Sequence, residues 1–151
     1  MKSKKIKKTG IYVYSYYQAK EVLLHSQNFN IKPYLYFKNY LFSKLDLGWI
    51  REVSNLLYKE FKHIKFEIVI DCKKNPALAI ICLSNDFFNI KLEKNDVFIK
   101  KIKNNKYKKK ITINQKIEII DLKRIKNCNR YMNRIYKNYK KWKQIKKFNQ
   151  F

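Results

Sequence analysis

Residues Lys65 to Glu93 read KFEIVIDCKKNPALAIICLSNDFFNIKLE, and the fold class turns on this stretch. Phe66, Ile68, Val69 and Ile70 form a short apolar run rich in β-branched residues, as expected of a strand buried on both faces. The run stops at Asp71-Cys72. Two lysines then lead to Asn75-Pro76, an N-cap residue followed by the proline that suits the first helical position, where a missing N–H costs nothing. This spacing predicts a helix from Pro76 through Ala77, Ala79, Ile80, Ile81 and Leu83, stopped at Asn85-Asp86, and a second strand over Phe88 to Leu92. Strand, helix and strand in that order make a parallel unit.

The same alternation extends upstream. Ile11 to Ser15 reads as the first strand, and Tyr16 to Asn30 as an amphipathic helix carrying Ala19, Val22, Leu23, Ser26 and Phe29 on one face. Ile31 to Phe37 is a second strand, with Pro33 near its start where a missing donor is tolerated. Lys38 to Leu47 reads as an irregular connection. Gly48 to Phe61 is the clearest helix, with Trp49, Ile50, Val53, Leu56, Leu57 and Phe61 on one side. Downstream, Asn95 is expected to cap a short helix through Val97, Phe98 and Ile102, and Ile111 to Ile120 to form a late strand. From Leu122 onward Ile125, Cys128, Met132, Ile135, Tyr139, Trp142 and Ile145 recur at intervals of three and four, as in a long helix with one apolar stripe.

The expected fold class is therefore α/β, a single domain with a mostly parallel sheet of alternating strands and helices, the helices on both faces. A partial (β/α) barrel is the alternative, because repeated strand-helix units also curl. A basic arm (1–10), an α/β domain (11–121) and a basic amphipathic helix (122–151) make up the chain. Its 151 residues are enough to bury a core.

The formal net charge is +25, and its distribution is uneven. Residues 1 to 8 carry five lysines, residues 100 to 110 carry seven, and residues 122 to 151 carry eleven Lys or Arg, with no acid in any of these segments. Residues 9 to 99 are nearly neutral, with twelve basic and nine acidic side chains. Such segregation points to electrostatic surfaces attached to a conventional domain, and to acidic partners. A genome rich in A and T would produce the same excess of Lys, Asn, Ile, Tyr and Phe without selection for binding. Cys72, Cys82 and Cys128 lie far apart and show no metal-ligand or disulfide spacing. The apolar run after the basic N-terminus is too short for a signal peptide, and no span reaches the length of a membrane helix. A cytoplasmic protein is expected, with no cofactor or metal implied. The pattern does not fix an oligomeric state.

Leu35, Gly48-Trp49, Asp71-Cys72, Pro76, Leu78, Ala79 and Leu83 give residues 11 to 93 a resemblance to a group of small α/β proteins of alphaproteobacteria with no established activity. In that group a strand ends in Asp-Cys-Gly and a helix carries Pro-Gly-Leu-Ala. Here the first glycine is replaced by Lys73 and the second by Ala77, and the connection after the second strand is the bulky KNYLFSKLD. Glycines in such loops let backbone N–H groups approach a phosphate.

Ligands of open α/β sheets sit at the carboxyl ends of the strands, which singles out Ser15, Lys38, Asn39, Asp71, Cys72, Lys73, Lys74 and Asn75. Asp71 and Cys72 are the candidate catalytic residues: a carboxylate beside two lysines, and a thiol near a helix N-terminus where its pKa would fall. Ser15, Asp71, Lys73 and Asn75 are the candidate pocket residues. His25 and His63 form no ligand or triad pattern and read as surface or boundary residues. For a polyanion the candidates are Lys100, Lys101, Lys103, Lys106, Lys108, Lys109 and Lys110, together with Arg130, Arg134, Lys137, Lys140 and Lys141. In the last helix Tyr131, Tyr136, Tyr139 and Trp142 interleave with these cations, a mixture suited to base stacking or to docking the helix on the domain. The expected function is binding of RNA or another polyanion without sequence specificity; the alternative is a degenerate enzyme or small-ligand domain with its site around Asp71.

Overall fold

The computed structural model describes residues 9–38, 40–87, 89–93, 111–113 and 118–148. Its elements are β1 (Thr9–Tyr12), α1 (Tyr16–Phe29), β2 (Pro33–Lys38), α2 (Tyr40–Glu60), β3 (Glu67–Asp71), α3 (Pro76–Ser84), β4 (Ile90–Leu92), β5 (Ile111–Ile113), β6 (Glu118–Asp121) and α4 (Cys128–Phe148). The central unit forms as its punctuation dictates. Asn75 adopts an extended backbone and its side chain accepts the Leu78 N–H at 3.0 Å, so α3 starts at Pro76.

Six strands form one sheet in the order β5-β4-β3-β2-β1-β6, and every pairing is parallel. The mostly parallel sheet with alternating helices is thus present. Its described helices, however, all pack on one face. Ala19, Val22 and Leu23 of α1, Ile50, Val53 and Leu57 of α2, Ala79, Cys82 and Leu83 of α3, and Cys128, Met132 and Tyr136 of α4 all join one core with Ile11, Leu35, Phe37, Ile68, Ile70 and Ile90. The second cluster contains strand residues alone: Tyr12, Tyr34, Tyr36 and Val69. The cause is the strand order. From β1 to β5 each crossover steps the same way along the sheet, and right-handed crossovers then place every helix on the same side.

The sheet is not flat. Ile113 and Glu118 end and begin strands at opposite edges yet are only five residues apart, a reach of at most about 18 Å. Five interstrand gaps of a flat sheet would separate those edges by roughly 24 Å. The sheet is therefore curved, with the described helices on its outer side and a concave inner face.

Three boundaries differ from the sequence reading. Residues 40–47 are the first part of α2, which runs through the exposed Gly48 instead of starting there. The single late strand over Ile111 to Ile120 is two strands, β5 and β6, at opposite edges. The last helix begins at Cys128 instead of Leu122, because Asp121 ends a strand, Leu122 to Ile125 make a turn, and the Asn127 side chain accepts the Arg130 N–H at 2.9 Å. The helix expected after Asn95 lies outside the described residues. Among the described residues no helix is long and apolar enough to cross a membrane.

Candidate functional site

Side chains alternate along a strand, so Tyr12 and Tyr14 from the first strand segment, Tyr34, Tyr36 and Lys38 from β2, and Val69 and Asp71 from β3 share the concave face. Asp71, only 4% exposed, accepts the Tyr12 hydroxyl proton on Oδ2 and the Lys73 backbone N–H on Oδ1 at 3.0 Å. Lys91 Nζ, from β4, stands 3.3 Å from the Tyr12 oxygen and 3.8 Å from Asp71 Oδ2. A second group sits beside the first. Lys38 Nζ donates to Asp121 Oδ2 at 2.8 Å, and Asp121 Oδ1 accepts from the Tyr14 hydroxyl at 2.8 Å and from the Lys123 N–H at 2.9 Å. The Lys38 and Lys91 ammonium groups lie 4.7 and 5.8 Å from the Tyr12 ring centroid, and Lys91 is also 5.7 Å from the Tyr36 centroid, within the range of cation–π attraction.

This convergence depends on curvature. β4 and β1 are separated by two intervening strands, about 14 Å in a flat sheet whose side chains would stand parallel. Lys91 and Tyr12 meet because the concave face tilts them inward. The chemistry of the cluster follows from the same enclosure. Burial first, and the Asp71 hydrogen bond second, push the Tyr12 pKa far above its usual value, so its phenol is a proton donor at all ordinary pH. Burial and the Asp71 charge push Tyr36 up as well. At Asp121 burial acts to raise the pKa, but the hydrogen bonds from Lys38, Tyr14 and the Lys123 N–H together outweigh it and hold the carboxyl below its usual value.

Of the residues proposed from sequence, Asp71 and Lys38 enter this cluster. Cys72 does not. Being the next residue along the strand it points to the helical side, where it is fully buried in the core. A hydrogen bond with Cys82 and burial push its thiol pKa up, the reverse of what a nucleophile requires. Ser15 and Asn75 are N-caps, accepting the Gln18 N–H at 3.1 Å and the Leu78 N–H at 3.0 Å. Their side chains serve helix starts and not a pocket. Lys73 is exposed and contributes its backbone N–H alone; its φ of 48° lies in the left-handed region that glycine enters without strain. Lys74 is exposed, 3.8 Å from Glu93, and Asn39 lies outside the described residues. His63 is exposed as expected, whereas His25 is buried beside Glu21, 3.8 Å away.

Sequence reasoning missed Lys91, Asp121 and the tyrosines. Their signals were a lone lysine between Ile90 and Leu92, and a repeated Tyr-x-Tyr in both the first and the second strand segment.

The C-terminal helix has two unlike sides. Tyr136 is 1% exposed, meets the Ser26 hydroxyl at 3.0 Å and packs its ring on Phe29 at 5.5 Å, so this aromatic docks α4 on α1. Arg130, Arg134 and Lys137 are exposed and, with Asn133 and Asn138, line one shallow depression of about 330 Å³. They sit four and three residues apart, which stacks them on one helical face. No acidic residue pairs with them among the described residues. Lys100 to Lys110 lie outside the described residues, as do the side chains of Lys140, Lys141, Tyr139 and Trp142. A cleft of about 380 Å³ between α2 and the loop before β4 is lined by Arg51, Tyr58, Asn85, Phe87 and Asn89. Its one charged donor, Arg51, is already bonded to the Asn85 carbonyl at 3.0 Å, so the cleft offers less chemistry than the strand ends. No protein-family model, curated protein or solved structure matches the chain.

Proposed function

We propose that the chain holds RNA or another polyanion on the outward face of α4, without choice of sequence. The reading rests on one observation: Arg130, Arg134 and Lys137 stand exposed in a single line on a helix whose opposite side is fastened by Tyr136. Regularly spaced cations with no acidic partner among the described residues suit a phosphate backbone, and they contact phosphates without reading bases. The lysines of residues 1 to 8 and 100 to 110 add charge of the same sign, which raises encounter rates with any polyanion. Tyr131, beneath Arg134 at 5.5 Å from its ring centroid, is partly buried against the core, so stacking by this aromatic contributes less than the charges do.

The test is fluorescence anisotropy with a short single-stranded RNA across a series of salt concentrations, comparing the full chain with an R130E/R134E/K137E variant. Each phosphate contact on a single strand adds about 0.7 to the slope of log affinity against log salt. The variant should therefore lose roughly 2 from that slope. Absence of binding, binding indifferent to salt, or an unchanged slope in the variant would overturn the reading.

A further inference from the structure

The strand-end cluster holds a cation whose hydrogen bonds are incomplete. Asp71 is satisfied without Lys91, since its Oδ2 accepts from Tyr12 and its Oδ1 from the Lys73 N–H. Lys91 Nζ is 3.8 Å from that carboxylate, beyond hydrogen-bond reach, and makes one long bond of 3.3 Å to the Tyr12 oxygen. An ammonium carries three donors. Two of them have no protein acceptor among the described residues, and the side chain is one-quarter exposed. The ammonium lies beside the ring faces of Tyr12 and Tyr36 and pairs with the Asp71 carboxylate through charge alone. A lysine with donors to spare near the carboxyl end of a parallel strand is placed where parallel α/β folds take their ligands.

We propose that Lys91 anchors a site for a small oxyanion, a phosphate or a carboxylate, at the carboxyl ends of β3 and β4. The class follows from which groups are spent. Asp71 and Asp121 both already accept from protein donors, so a neutral polyol, which needs acceptors as well as donors, finds few. An oxyanion needs donors alone. The exposed Lys73 of the turn after β3 adds positive charge at the same end, whereas the charge of its neighbour Lys74 is offset by Glu93 at 3.8 Å. The site is independent of the α4 ridge and stands or falls separately from polyanion binding there.

Two-dimensional amide NMR on the full-length chain, titrated with inorganic phosphate and separately with malonate, tests it. We expect saturable shifts at the amides of Lys73 and Lys91 and at the Tyr12 and Tyr36 rings with at least one probe. Saturation by phosphate alone or malonate alone identifies the source, and saturation by both identifies a general oxyanion site. Lys91→Gln should weaken the affinity at least tenfold, while R130E/R134E/K137E leaves it unchanged. Shifts that fail to saturate, that spread over surface lysines, or that persist undiminished in a folded Lys91→Gln protein would overturn the proposal. Should Lys91→Gln not fold, the location and saturation of the wild-type shifts decide alone.

Discussion

The two faces of the sheet are built from alternate residues of the same strands and have opposite chemistry. Toward the helices stand Ile11, Leu35, Phe37, Ile68 and Ile70, packed under four helices with no polar group required. Toward the hollow stand Tyr12, Tyr34, Tyr36, Asp71, Lys38 and Lys91, packed under none of the described helices, with the three tyrosines and Asp71 almost wholly buried. The outer face is packed under the described helices, whereas on the inner face polar side chains of different strands meet one another. Each polar atom brought together in this way needs a partner. The difference shows that one face of these strands is selected for volume and the other for pairing.

Three measurements tell the two faces apart. Leu35→Ala on the outer face should lower unfolding stability by about 3 kcal/mol, read from urea denaturation; a loss under about 1 kcal/mol would mean the helical side is loosely packed. Asp71→Asn on the inner face keeps shape and volume but exchanges one carboxyl oxygen for an amide nitrogen, so that either the Tyr12 hydroxyl or the Lys73 N–H loses its acceptor. A loss of about 2 kcal/mol is expected, and an unchanged midpoint would show the inner network to be ornamental. The smallest effect concerns acid. Asp121's pKa is depressed in the folded state, so its stabilisation is present above the unfolded value of about 3.9 and disappears as pH falls through the folded one. The carboxylate is 42% exposed, so the contribution is under about 1 kcal/mol. Asp121→Asn should flatten the acid limb of stability against pH by that amount, whereas Leu35→Ala should lower the whole curve without changing its shape.

Much of this was legible in local chemistry. Asn75-Pro76 marked the start of α3, and the β-branched run before it marked β3. Other boundaries carried misleading punctuation. Gly48 reads as a helix start but lies inside α2 and exposed, where it costs about 1 kcal/mol relative to alanine; tertiary packing of Ile50, Val53 and Leu57 overrides it. The isoleucines between 111 and 120 carry one alternating pattern, yet β5 and β6 belong to opposite edges, a long-range fact that periodicity does not contain. Asp71 and Cys72 illustrate the limit for the site. Alternation guarantees that they face opposite ways, but in a run apolar on both sides nothing local says which of them looks inward. Lys91 was invisible for a related reason: its role depends on Tyr12, 79 residues away.

The placement of β1 between β2 and the last strand has a kinetic consequence. β1 is the first strand made and β6 the last, yet they are hydrogen-bonded neighbours, Tyr14 waits for Asp121 across 107 positions, and Ser26 for Tyr136 across 110. Pairings of such high contact order are slow to form. A nascent chain can therefore complete β1 through β4 while one flank of its first strand stays open. Until residues 118–121 arrive, that flank is an unpaired edge available to any other extended chain.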